Sequence, residues 1–416
     1  MERKILCLLI TSLIIVAMLP LSAHAQKSNL QPVVYVPITI TNTQDIATPG
    51  PFQVMILVNS TAYATYEAPD LSNIAFTYPN GTIIPSWLAL GNSNSSTNTV
   101  YWLKTDGIAA NSFLTINMTF YPTTDNVLNN VTTGEAPSLS LNYGEYDNGA
   151  NVFIVYADFS SGMCGWEPNS FAGSFTPTPT LNGLELISNG GETTYLTSSV
   201  TLPLIPLQIE EGWNLTDGRN MGYAISAFGS PPYGTSSVIS ANVQSNGGPA
   251  PLVLANSIAM VWNEEWGGHG WLEESNNIVA SDGEPGPGSI VSSLAINGTW
   301  ASSGYSTTDV GIGSFGYAPV VSTMSGNILN PFVSGNTGLM ISGNCGYSCT
   351  EYIRWIVASA FPPNDVIPSV SFGNVAVAPI ITTPEFASPI LLVFALFAAS
   401  AVIVYRKKYN VRHTTS

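Results

Sequence analysis

From Pro32 to Val155 the chain is written in short apolar or alternating runs, each cut off by Gly, Pro or Asn before it reaches the length of a helix. That punctuation constrains the fold more than any other feature. The runs are Val33-Tyr35-Pro37 to Ile40, Phe52 to Val58, Ile74 to Tyr78, Val100 to Leu103, Phe113 to Phe120 and Val152 to Tyr156. Alternation sends successive side chains to opposite faces of a sheet, and no window carries the 3.6-residue apolar repeat of a helix. Pro79-Asn80-Gly81, between Phe76 and Ile83, predicts a hairpin, because Asn-Gly takes the positive φ of a tight turn. The same texture continues from Leu181 to Val375, with strands expected at Gly183 to Ile187, Ser199 to Leu207, Tyr223 to Phe228, Val238 to Val243, Pro251 to Trp262, Gly338 to Ile341 and Tyr352 to Ser359. The expected fold is all-β: two tandem β-sandwiches over residues 30–155 and 156–375, the second jelly-roll-like, with one C-terminal transmembrane helix. No internal repeat or heptad pattern supports a solenoid or coiled coil.

The ends read differently. Arg3 and Lys4 precede an apolar run from Ile5 to Leu19 and then Ala23-His24-Ala25, the layout of a secretory signal peptide over residues 1–25. Phe386 to Tyr405 is uncharged and long enough to cross a bilayer as a helix. Arg406, Lys407, Lys408 and Arg412 follow it, so the 406–416 tail is expected in the cytoplasm and the body outside, at the cell surface. Residues 376–385, rich in Pro and small side chains, are expected to form a stalk.

Lys and Arg number 10 against 26 Asp and Glu, a net charge of −16, and of the basic residues only Lys27, Lys104, Arg219 and Arg354 belong to the body. Binding nucleic acid rests on neutralising phosphates, so this composition excludes it. An acidic surface suits cations or a cationic layer. Seven Asn-x-Ser/Thr sequons, at Asn59, Asn80, Asn94, Asn117, Asn130, Asn214 and Asn297, offer glycosylation sites to a translocated chain. Cys345 and Cys349 are spaced to close a small disulfide loop, leaving Cys164. Zinc on the three thiols with His269 is the alternative, but the closely spaced ligand pairs of structural zinc sites are missing.

His269 is the single histidine of the body, and nothing beside it resembles a nucleophile elbow. Gly283 to Gly288 is glycine-rich but lacks the Lys and the strand-to-helix setting of a phosphate loop. The densest chemistry runs from Trp262 to Glu274, where Trp262, Trp266 and Trp271 mix with Glu264, Glu265, Glu273 and Glu274. Sugars stack on flat aromatic faces and donate hydroxyl protons to carboxylates, which makes Trp262, Glu264, Glu265, Trp266 and Trp271 candidate carbohydrate contacts. Paired carboxylates are also a glycosidase's equipment, and a third reading is structural, with Trp262 in the core and the glutamates at a solvated strand end. Asp282 with Glu284, and Asp147 with Glu145, could lend oxygens to calcium; no other cofactor is expected. Trp87 and Trp102 are expected in the core of the first sandwich.

Pro37-Ile38-Thr39-Ile40-Thr41-Asn42, Phe52 to Asn59, Phe76 followed by Ile84-Pro85-Ser86-Trp87, Val100 to Lys104 and Leu114 to Tyr121 together resemble the DUF2341 domain, common in archaeal and some bacterial surface proteins. Tyr121-Pro122 departs from that domain's Tyr-Gly. The entry Phe153 to Phe159 and the run from Tyr352 to Gly373 look like the start and close of the concanavalin-like or laminin-G-like domain that commonly follows it. Pro384-Glu385-Phe386 before the apolar run is similar to the sorting signal of archaeal exosortase-like transpeptidases, which implies such an enzyme as a partner. The expected function is that of a cell-surface anchored, noncatalytic protein binding carbohydrate or another envelope polymer. A secreted glycoside hydrolase and a purely structural envelope component are the alternatives.

Overall fold

The structure, a computed structural model, describes residues 32–139, 146–159, 162–172, 177–189, 192–198, 202–203, 205–215, 221–228, 238–240, 252–254, 257–263, 269–274, 277–282, 288–297, 300–306, 322–327, 338–345 and 348–378, over most of 168–351 through the backbone. The chain to Val377 is one compact unit and Ala378–Ser416 another.

Eight strands come first: β1 (Val34–Asn42), β2 (Phe52–Val58), β3 (Ile74–Thr77), β4 (Ile83–Ile84), β5 (Ser86–Leu90), β6 (Thr99–Thr105), β7 (Ser112–Phe120) and β8 (Thr133–Glu135). Sheet I holds β1, β7, β3 and β4, and sheet II runs β2-β6-β5-β8. The alternation of β1 is realised residue by residue, with Val36, Ile38 and Ile40 buried and Tyr35, Pro37 and Thr39 half-exposed. Opposite them Ile116, Met118 and Phe120 of β7 meet Ile56, Leu88 and Leu103 of sheet II in one core. The β3–β4 hairpin forms, pairing Phe76 with Ile84, but through linking residues 78–82 in which only Gly81 is left-handed, at φ +85°. Asn80 instead uses its side chain, accepting the Thr82 N–H at 3.0 Å.

A one-turn helix α1 (Gly149–Val152) leads to β9 (Val155–Asp158), β10 (Trp166–Ala172), β11 (Thr178–Thr180), β12 (Gly183–Asn189), β13 (Glu192–Ser198), β14 (Leu207–Leu215), β15 (Met221–Phe228), β16 (Val238–Ser240), β17 (Leu252–Leu254), β18 (Ser257–Asn263), β19 (His269–Glu274), β20 (Asn277–Asp282), β21 (Gly288–Asn297), β22 (Trp300–Ser306), β23 (Ser322–Asn327), β24 (Gly338–Cys345) and β25 (Ser348–Ala360). Sheet III runs β11-β12-β25-β14-β21-β22-β23, with β9 also on β25. Sheet IV runs β10-β13-β24-β15-β18-β19-β20, and β16 pairs with β17. Of the strand expected over 199–207, the described Leu202, Pro203, Ile205 and Pro206 are not in a strand, and β14 begins at Leu207. Pro203 and Pro206, which cannot donate to a ladder, precede it.

The last two strands, β26 (Ser369–Phe372) and β27 (Ala376–Val377), return to sheet I and pair with β1, Ile40 opposite Val370 and Val34 opposite Val377. Two expectations are corrected by this. Residues 369–372 close the first sandwich rather than the second, and Ala376 and Val377, assigned to the stalk, are strand. The second sandwich is nested inside the first. Pro37 sits where the ladder breaks between β26 and β27, its carbonyl accepting the Gly373 N–H at 2.8 Å. Carbonyl and N–H of one strand residue point to the same side, so the missing proline donor faces that break.

Trp87 and Trp102 are buried, but on the face of sheet II turned away from the first core. There they join Met55, Val152, Phe153, Trp355 and Val357 in a second cluster. Trp87 meets Phe153 and Tyr156 edge-on, ring centroids 5.6 and 5.8 Å apart. This cluster bonds sheet II to β25 of sheet III. Gln53 stitches the same joint, its amide donating to the Val152 carbonyl at 3.2 Å and its oxygen accepting the Ala360 N–H at 2.8 Å, both buried. No helix among the described residues is long and apolar enough to cross a membrane; the signal (1–25), the anchor (386–405) and the tail (406–416) lie outside them. Gln53→Leu should strand a buried donor and a buried acceptor, lowering stability by about 2–4 kcal/mol, read as a fall in urea midpoint against the wild type.

Candidate ligand-binding site

β18 and β19 form a hairpin, Asn263 opposite His269 and Val261 opposite Trp271. Its five linking residues include Glu264, Glu265 and Trp266, which lie outside the described residues. Register separates the remaining two indole-bearing positions. Tyr223 pairs with Trp262 and Ala227 with Leu339, so Trp262 and Leu339 share a face of sheet IV, and Trp271 falls on the opposite face. Which face is covered is settled at the β10 edge and its neighbours. Trp166, Ser198 and Leu339 are buried on the Trp262 face, whereas Glu167, on the Trp271 face, is exposed. Register thus places Trp262 on the face of buried Trp166, Ser198 and Leu339, and Trp271 on the face of exposed Glu167.

Asp282 pairs with Gly270 on the Trp262 face, and Glu284 lies outside the described residues. Asp147 has its oxygens engaged: Oδ1 accepts the Trp87 indole N–H and the Gly149 N–H, each at 2.9 Å, and Oδ2 accepts the Tyr156 hydroxyl at 2.8 Å. It fastens α1 and β9 to sheet II. Burial pushes its carboxyl above the usual range, outweighing those three donors. Among the described residues no group of three or more His, Cys, Asp or Glu could hold a metal ion. Cys164 is exposed and free. Cys345 ends β24 in sheet IV and Cys349 begins in β25 of sheet III, and their side chains lie outside the description. Of the sequons, Asn59, Asn80 and Asn130 are exposed, Asn94, Asn117 and Asn214 half-buried, and Asn297 is described through its backbone at the end of β21.

Sequence reasoning missed the buried acids. Glu210 and Glu211 are neighbours on β14, hence on opposite faces of sheet III, yet both are buried, so sheet III is covered on both sides. Glu67, in the loop between β2 and β3, is 2% exposed and neither carboxyl oxygen has a hydrogen-bond partner. Burial raises its pKa to about 8, a shift only partly offset by the nearby Ser60 hydroxyl. Tyr63 and Tyr101 feel its charge. No periodicity marks Tyr66-Glu67-Ala68 as anything but a polar loop.

No family model matches the chain. Over 202 residues it is 29% identical to "Uncharacterized protein 562" of Sulfolobus islandicus rod-shaped virus 1, an alignment covering 47% of this chain and 35% of that protein. The chain thus spans about a third of the length of that curated relative. Similar solved structures include the carbohydrate-binding module CBM66 from Bacillus subtilis, 11% identical, covering 47% of this chain and 96% of that one at a TM-score of 0.29. The VIP36 exoplasmic/lumenal domain with Ca2+ and Man3GlcNAc bound is 8% identical, covering 52% and 97% at a TM-score of 0.35. The legume lectin-like domain from Entamoeba histolytica is 8% identical, covering 47% and 90% at 0.31. Likeness at those TM-scores transfers nothing to this chain.

Glu67 gives a pH dependence of defined sign. Its folded value, about 8, exceeds the 4.5 of the free side chain, so the folded chain keeps a proton that the unfolded chain has released. Its contribution is fully present below pH 4.5, falls by about 1.4 kcal/mol per unit as pH rises, and is lost as pH passes the folded value. Glu67→Gln should flatten that segment of a stability-versus-pH curve measured by urea unfolding and should stabilise the protein most above pH 8.

Proposed function

We propose that the protein is a noncatalytic, surface-displayed module that binds carbohydrate or a related envelope polymer. Residues 1–25 export it, Phe386 to Tyr405 hold it at the membrane with its body outside, and Pro384-Glu385-Phe386 is the processing point of a sorting transpeptidase. The observation that carries the binding reading is the β18–β19 hairpin: the Asn263–His269 pairing confines Glu264, Glu265 and Trp266 to the five residues between two strands of a sandwich sheet. Indole faces and carboxylates so concentrated suit a polyhydroxylated ligand. A body with four basic residues in the mature sequence before the anchor argues against phosphate-bearing polymers.

The test is polysaccharide pull-down and glycan-array binding with the segment Gln26 to Thr383, with and without calcium, followed by a reducing-sugar assay on every hit. Retention without product is expected. Product release would replace this reading with a glycoside hydrolase, and silence on every polymer with a structural envelope role. Membrane anchoring is checked separately: the full chain should resist carbonate extraction from membranes, and deletion of residues 386–405 should release it.

A further inference from the structure

The Trp271 face of sheet IV carries more of a binding surface than the hairpin alone. Cross-strand register aligns Tyr195 on β13 with Trp271 on β19 in a single row, joined through Ser342, Ala224 and Val261 on the three strands between. Four strand steps of about 4.8 Å set the two aromatic positions roughly 19 Å apart. The positions between them are small. On the neighbouring row of the same face stand Asn344, Gly222, Asn263 and His269, and on the other side Met340, Ser226, Ala259 and Glu273. This is the face on which Glu167 is exposed, and its opposite is the face of buried Trp166, Ser198 and Leu339.

We infer that this face is a glycan-binding platform, on which a linear neutral polysaccharide lies across the strands between Tyr195 and Trp271. The inference rests on the carbohydrate reading above and extends its site from the hairpin's linking residues onto the sheet. Three properties of the placement point to that occupant. Aromatic positions at both ends of a row supply the flat apolar surface on which pyranose rings stack. Between them the row holds Ser342, Ala224 and Val261, none with a long side chain. The flanking rows bring Asn, Ser, His and Glu, which exchange hydrogen bonds with hydroxyl groups, and no Lys or Arg. A polymer bearing carboxylates, sulfates or phosphates would find no counter-charge there and would meet Glu273 and Glu167.

The experiment uses the full chain in detergent and soluble mannan, xylan and β-glucan as probes, with dissociation constants read by titration. Tyr195→Ala and Trp271→Ala should each weaken binding by roughly tenfold with the thermal midpoint unchanged, and Trp271→Phe should retain most of the affinity because it keeps a flat ring. Ala224→Arg, which puts a long side chain into that row, should abolish binding. A Glu264→Gln, Glu265→Gln, Trp266→Ala triple variant reports on the hairpin separately and should weaken binding as well, because the ligand reaches from the row to the hairpin. If that triple variant loses binding while the Tyr195 and Trp271 variants keep it, the platform is overturned and the hairpin remains the site. Should the wild type bind none of the three polymers nor any glycan on the array, the carbohydrate reading fails and the platform with it.

Discussion

Sheet II is covered on both faces, and the arrangement of everything after residue 135 follows from what covers the second one. A four-stranded sheet with Trp87, Trp102 and Met55 on its outer side would expose a large apolar patch. The chain removes it by laying α1, β9 and β25 against those residues. Polar groups trapped in that joint are satisfied locally: Gln53 takes up a carbonyl from one side and an N–H from the other, and Asp147 gathers three donors. Sheets I, II and III are therefore stacked layers. Buried acids on both faces of β14 call for a further layer on the far side of sheet III, where sheet IV supplies it, β20 of IV lying beside β23 of III.

Strand existence was readable from residues 33 to 120 for two reasons: β1 has one buried and one half-exposed face and alternates accordingly, and β2, β3 and β5, buried on both faces, stand as short apolar runs cut off by Gly, Pro or Asn. Order was not. Ser369 to Val377 is as close in sequence to β25 as a hairpin partner would be, and nothing in Ser-Val-Ser-Phe says that it pairs with a strand over 300 residues earlier. Trp87 and Trp102 were legible as buried, but an apolar residue reads the same in a core and in an interface between layers. The candidate site divided along similar lines. Alternation gave Trp262 to the inner face, while the row shared by Tyr195 and Trp271 is a product of pairings among five strands and has no signature in any one of them. Glu67, Glu210 and Glu211 were unreadable for a simpler reason: a carboxylate on paper belongs at the surface, and only tertiary burial overrules it.

That burial also explains how a body of so few Lys and Arg tolerates its acids. Where the usual arrangement would pair each buried carboxylate with a cation, this chain surrounds Asp147 with neutral donors and leaves Glu67 uncharged over most of the pH range. At these two positions no ionised pair contributes, so acidification removes none there.

The pairing of β26 and β27 with β1 has a mechanical meaning. β25 is an interior strand of sheet III, and from its last residue, Ala360, only residues 361–368 separate it from β26. A pull on the chain beyond Val377, opposed by a load on the second sandwich, is carried along that short covalent link. The first sandwich's core is not in series with it. The β1 ladder acts instead as a side brace, and because β26 and β27 lie at a sheet margin it would yield by peeling, one hydrogen bond after another, before any hydrophobic layer had to open.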